Sequence, residues 1–239
     1  MLDPRDQLLE LNTTAELHER GYRLHGPPIC VMAMDPSGSG GDRAVVTATE
    51  REVWIRGAVY DPDFLVLVRY VLRGAWAFAQ GETFPKVAAA VTAAFRNAER
   101  SIDDGTVLGV YLAVECNGVG WGYASHFKET LKGNVIPITT TGGENANALS
   151  SGGFSMPRQA ASDQLRMLME QQVWKVARGA PGAEDVRAEV DAFVWKGKKP
   201  QAAEGHHDDH VMSCMIGAWV GSKLIPLSVQ IQARNTRTI

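Results

Sequence analysis

Residues 30–35 read CVMAMD, an apolar run closed by a carboxylate, and PSGSGG follows at 36–41. A short apolar run bounded by a Gly/Ser-rich turn predicts a buried strand, with Asp35 where the strand leaves the core. On the C-terminal side, RAVVTAT (43–49) and EVWIRGAVY (52–60) are rich in Val, Ile, Thr and aromatic residues. They predict two more strands, the three forming an antiparallel meander. On the N-terminal side, Gly-Pro-Pro at 26–28 predicts a stiff entry to the core. The polar stretch 1–29 then reads as a lead-in segment, helical in part over 6–20.

Further along, apolar positions recurring at three and four predict helices over 63–80 and 84–101, the second opened by Pro85. VLGVYLAVE at 107–115 reads as a fourth buried strand, and it too ends in a carboxylate, Glu115. A helix over 123–131 and a strand over 134–139 follow. A long loop or hairpin arm rich in Gly, Ser, Thr and Asn spans 140–157, a length that compact domains keep for function. Helices over 158–178 and 184–195, a basic loop over 196–205 and a final helix over 207–221 complete the series. This order predicts an α/β fold: a mixed sheet of three antiparallel strands plus parallel strands added by crossovers, flanked by helices.

Asp35 and Glu115 end two strands, and Asp208 and Asp209 open the last helix. In open α/β sheets ligands bind beyond strand ends. Parallel neighbouring strands would bring Asp35 and Glu115 to one edge, and a helix start aimed there would complete a cluster of acids. Like charges at contact distance raise each other's pKa unless a cation intervenes. Hard divalent ions, Mg²⁺ or Mn²⁺, suit such a set. Two of them about 3.5–4 Å apart serve phosphodiester hydrolysis. Singly, each acid is also an ordinary turn former or helix-start residue. From Asp209 the i+4 line runs Ser213, Gly217, Gly221, a ridge of small residues able to approach a sheet closely; from Asp208 it runs through the bulkier Met212 and Ile216. Asp209 is thus the favoured ligand and Asp208 a near-equal second.

His206, His207 and His210 flank the pair. They read as an exposed polar helix start, or as accessory groups for a metal, a leaving group or a phosphate. No third soft ligand stands nearby to make a zinc site. The chain's three cysteines, Cys30, Cys116 and Cys214, are far apart and form no CxxC pair, which excludes a disulfide scaffold and fits a reducing compartment. No apolar run is long enough for a membrane span. The 239 residues carry a net charge of −3, so a nucleic-acid site must be a local patch. Candidate residues for such a patch are Lys196, Lys198 and Lys199, which shortly precede the acidic helix, with Arg43, Lys128 and Arg158.

Three segments stand out as a set: MDPSGSGGD (34–42), VECNGVG (114–120) and HDDHV (207–211). In order and spacing, over about residues 30–222, they resemble the nuclease domain of the large terminase subunit of tailed bacteriophages. That family has a ribonuclease H-like fold related to Holliday-junction resolvases. The resemblance implies metal ligands at Asp35, Glu115 and the Asp208/Asp209 pair, a two-ion Mg²⁺ or Mn²⁺ site, and a metal-dependent endonuclease. Such an enzyme cuts concatemeric double-stranded DNA in the host cytoplasm. It also implies partners: a packaging ATPase domain or subunit, a small terminase subunit and a portal. The loop at 36–42 has no Lys-Ser/Thr ending and is not a P-loop, so the family's ATPase motor is not expected within these residues: either this chain reads as an excised domain, or the motor is a separate polypeptide. Residues 1–29 then read as linker, 30–222 as the nuclease domain and 223–239 as a basic tail. Asn117, Gly118 and Gly120 make either a tight strand-to-helix turn or a close approach for a phosphate. Asp42 reads as the start of the second strand or as support for the acids. Two other functions fit parts of the pattern. An actin-like or sugar-kinase-like ATPase also opens with a strand, an aspartate and a Gly/Ser loop, but needs a second lobe. A noncatalytic packaging scaffold would carry vestigial acids.

Overall fold

The computed structural model describes residues 14–36, 43–58, 61–196, 199–204 and 207–232. The short helix α1 (Thr14–Glu19) and strand β1 (Arg23–Leu24) lead into β2 (Ile29–Asp35), β3 (Val45–Arg56) and β4 (Leu65–Ala77). Helix α2 (Phe84–Asp103), β5 (Gly109–Glu115), α3 (Gly120–Leu131) and β6 (Val135–Thr141) follow. Then come β7 (Ala148–Leu149), β8 (Gly153–Pro157), α4 (Arg158–Glu170), β9 (Trp174–Val176) and α5 (Ala183–Ala192). The hairpin β10 (Phe193–Lys196) and β11 (Lys199–Ala202) precedes α6 (Asp209–Trp219), which runs on as a π-helical turn over Val220–Leu224; α7 (Leu227–Gln232) comes last.

The central sheet has the order β7-β8-β6-β5-β2-β3-β4-β9, with β1 alongside β3. β2, β3 and β4 form an antiparallel meander, while β5 lies parallel to β2, β6 to β5 and β8 to β6. This is the predicted class, a mixed sheet between helical layers. α4, α5 and α6 cover one face through Leu165, Val186, Met215 and Ile216. α2 and α3 cover the other through Val91, Phe95, Tyr123 and Phe127. The strands are apolar on both sides because both faces are covered.

The third strand of the meander is not where the sequence places it. Residues 63–80, read as a helix, hold β4. Its composition, LVLVRYVLRGAWA, suits a strand as well as a helix, and the sheet decides. Tyr70 and Leu72 face the α6 core, while Arg69 and Arg73 pair with Glu52 and Glu50 on the other side. The two strands read over 43–49 and 52–60 are one, β3. The gap left between them, Glu50-Arg51, is charged, but Glu50 pairs with Arg73 of β4 and Arg51 turns to backbone carbonyls over 221–226.

Of the two readings of 140–157, the hairpin holds: β7 and β8 pair antiparallel, and β8 also extends the parallel half of the sheet. The helix read over 158–178 stops at Glu170, and Trp174–Val176 joins the sheet as β9 beside β4. The basic loop 196–205 contains β11. Asp42, Lys198, His206 and 233–239 of the basic tail lie outside the described residues, as do 1–13 of the lead-in. At Lys196 and Lys199 only the backbone is described.

Candidate active site

Met34 of β2 pairs with Val114 of β5 in parallel register, so Asp35 and Glu115, the next residues, leave the sheet side by side. Asp35 shares a hydrogen bond with Glu115. Its carboxyl is raised well above the ordinary range, first by burial, then by the charge and hydrogen bond of Glu115, then by the charges of Asp209 and Asp208. Asp35 thus feels three other acids, drawn from two remote segments, at one end of the sheet.

The small-residue ridge of α6 lies on the sheet. Ser213 Oγ donates to Ala33 O at 2.7 Å and is 2.9 Å from Thr47 Oγ1. A Cβ on Gly217 would stand 3.5 Å from Ala33 Cβ, and one on Gly221 3.2 Å from the Tyr70 ring. Asp209 sits at the head of this ridge and is buried. Asp208, one residue earlier, is half-buried and ion-paired with Arg158, the first residue of α4. The two adjacent acids are thus sorted into an inner and an outer one.

Glu115 is held from β6. Thr140 Oγ1 donates to Glu115 Oε1, and Asn117 Nδ2 donates to the same oxygen at 3.1 Å and to Thr140 O at 3.2 Å. Asn117, one of the predicted accessory residues, orients an acid. Thr140 was missed; a Thr-rich strand end carries no signal until the sheet order is known. Gly120 answers the question about the glycines: a Cβ there would fall 1.7 Å from Glu115 O, so the turn after β5 closes only with glycine. Gly118 adopts φ 62°, in the left-handed region.

The histidines separate. His207 is exposed. His210 is fully buried and its Nδ1 lies 2.6 Å from Glu189 Oε1. Glu189, on α5, was missed too, because its partners lie 21 residues away. Burial alone would raise its carboxyl, but the bonds and charge of His210 and the amides of His210 and Val211 bring it below the usual range.

Of the candidate DNA contacts, Arg43 is 3.3 Å from Glu189 and Lys128 Nζ donates to Gly152 O at 3.1 Å on an exposed surface. Arg158 stands beside the acids. A cleft of about 490 Å³ opens there, lined by Asn117, Thr140, Arg158, Gln159, Pro200 and Gln201. Its walls include residues bonded to Glu115 and to Asp208, so the cleft adjoins those acids.

Among the described residues no three His, Cys, Asp or Glu side chains form a ready-made metal cage. In this arrangement the anionic charge is relieved by the hydrogen bond between Asp35 and Glu115 and by Arg158. The donor chemistry nevertheless fits a hard cation: the groups around Asp35 are carboxylates, and their charges still raise its pKa. It does not fit a soft one. The Cys30 and Cys116 thiols are pushed by burial to about 12 and about 11, and Cys214 is raised as well, so no thiolate is at hand.

No family model matches the chain, and no curated protein matches it by sequence. Solved structures do. A Mn-soaked, inhibitor-bound human cytomegalovirus terminase nuclease domain superposes with TM-score 0.57 at 11% identity, over 94% of this chain and 95% of that one. Two further structures of that domain, one of them Mn-soaked, give TM-score 0.55 at 11% and 12% identity, over 94% of this chain and 96% of theirs. With Asp35 and Glu115 side by side at the carboxyl ends of the parallel strands β2 and β5, this chain has the ribonuclease H-like fold seen in that viral terminase nuclease domain.

Proposed function

We propose that the chain is a divalent-metal-dependent DNA endonuclease of a viral packaging terminase. Its work is to cut concatemeric double-stranded DNA, as the phage-type sequence elements imply. The single observation carrying this reading is the convergence of Asp35, Glu115, Asp209 and Asp208 on one sheet edge. The similarity of fold to a terminase nuclease domain supports it.

Asp35, Glu115 and Asp209 are the inner ligands, and Asp208 the outer one. Mg²⁺ or Mn²⁺ there would supply charge neutralisation, an activated water and stabilisation of the leaving oxygen. The protein's own part is placement. Thr140 and Asn117 hold Glu115, the Ser213–Gly217 ridge seats Asp209 on the sheet, and the cleft beside Arg158 receives the sugar-phosphate chain. Arg158 is the cation positioned to pass from Asp208 to a phosphate oxygen. Lys196, Lys198, Lys199 and Lys128 extend contact along the backbone, giving sequence-tolerant, salt-dependent binding. Partners are the packaging ATPase, the small subunit and the portal.

Plasmid nicking with Mg²⁺ or Mn²⁺ tests this. Asp35→Asn and Glu115→Gln are each expected to lower the rate about a thousandfold or more, since groups acting as one unit fail together. Undiminished metal-dependent cutting by both variants would refute the site.

A further inference from the structure

α6 begins at Asp209 with Asp208 as its N-cap, yet Asp208 makes no side-chain capping hydrogen bond. At an ordinary helix start that side chain accepts the N–H of the second or third helical residue, here His210 or Val211. Glu189 of α5 takes both instead: its Oε2 is 2.7 Å from the His210 amide and 3.4 Å from that of Val211. Its Oε1 lies 2.6 Å from His210 Nδ1 and accepts from Arg43 Nη2 at 3.3 Å. Glu189 is 7% exposed and His210 fully buried, so water does not substitute.

We propose that Glu189 is a positioning residue that caps α6 in place of Asp208. It leaves the Asp208 carboxylate turned toward Arg158 and the acid cluster, and it fixes where Asp209 meets the sheet. The proposal rests on the nuclease reading above. Without Glu189, two buried amides lack an acceptor, and the nearest one by helix geometry is Asp208's own carboxylate. Asp208 would then swing back to cap the helix and leave the cluster.

The test is Mn²⁺ binding by the full chain, followed by electron paramagnetic resonance with and without a short duplex, with melting temperature as a companion. Glu189→Met, which removes the acceptor, is expected to weaken Mn²⁺ binding roughly tenfold. In an Asp208→Asn background the same change is expected to cost only about twofold, the non-additivity of residues acting on one another. Unchanged Mn²⁺ binding with a lowered melting temperature would overturn the positioning role, as would equal losses in both backgrounds. A wild-type chain that never binds Mn²⁺, even with duplex, would instead sink the nuclease reading and this proposal with it. Should Glu189→Met not fold, amide hydrogen exchange in the wild type decides. His210 and Val211 amides protected like those of the helix interior support the cap, and exchange at the rate of open helix-end amides overturns it.

Discussion

Arg158 gives its guanidinium to Asp208, and the pair is partly exposed, the two side chains being 36% and 25% accessible. An ion pair of that kind is worth under about 1 kcal/mol. It nonetheless sets two demands on one carboxylate. Arg158→Gln is therefore expected to strengthen Mn²⁺ binding about threefold, the equivalent of that energy, while weakening duplex binding in a filter assay. Loss of both together would make Arg158 a plain structural contact. Asp35 carries the second residue-scale expectation. A carboxyl whose pKa folding raises favours the folded state only while protonated. Its contribution is complete in acid and is lost as pH climbs from the ordinary carboxylate range through the raised value. In chelator at neutral pH, Asp35→Asn is accordingly expected to be more stable than wild type by about 1 kcal/mol, a melting gain of about 3 °C. Below the ordinary carboxylate range the gain vanishes. A variant less stable at neutral pH would show that Asp35 is not repelled. At this scale the sequence told much about Asp209, because its ridge of small residues can be counted off by fours. It told nothing of Thr140 or Glu189, whose partners are assembled only by the sheet and by the packing of α5 on α6.

At the scale of the element, α6 works by lying close. Its contact with β2 and β3 runs through Ser213 and Gly217, so bulk there lifts the helix and carries Asp209 with it. Gly217→Ala adds a Cβ at ordinary contact distance, 3.5 Å from Ala33 Cβ, and is expected to be tolerated. Gly217→Leu is expected to cost about 1–3 kcal/mol in urea unfolding and to lower nicking as well. Full activity in a stable Leu variant would show that the spacing is not needed. β4 shows why elements are harder to read than such ridges. Its apolar residues recur at spacings that both a helix and a buried strand permit, and the choice was made by the open edge of β3 and by Glu50 and Glu52 waiting for Arg73 and Arg69. The Glu50-Arg51 step in β3 misled for the same reason: charges inside a strand look like a break until their partners are known. The strand ends at Asp35 and Glu115 were legible because an apolar run closed by an acid is a local pattern.

Across the whole molecule, Arg51 ties the middle of the sheet to the C-terminal end of the chain. Its Nη1 donates to Gly221 O and, at 2.6 Å, to Ile225 O, while Nε donates at 2.7 Å to Gln230 Oε1. Burial lowers the pKa of this guanidinium, and the carbonyl oxygens at the helix end suit a cation. Arg51→Met is expected to cost about 3 kcal/mol in urea unfolding, since it orphans buried carbonyls. A loss under about 1 kcal/mol would mean that residues 221–230 contribute little to the fold. The overall class was legible from the order of elements; this long-range tether was not, because a lone arginine in a strand names no partner. Taken with Glu189 at the other end, it makes α6 a strut clamped at both tips by buried charged groups from separate parts of the chain. Such a strut can neither slide nor pivot without breaking a clamp. Any adjustment around the cleft is thereby left to its other walls, Arg158 and Gln159 at the head of α4 and Pro200 and Gln201 of β11.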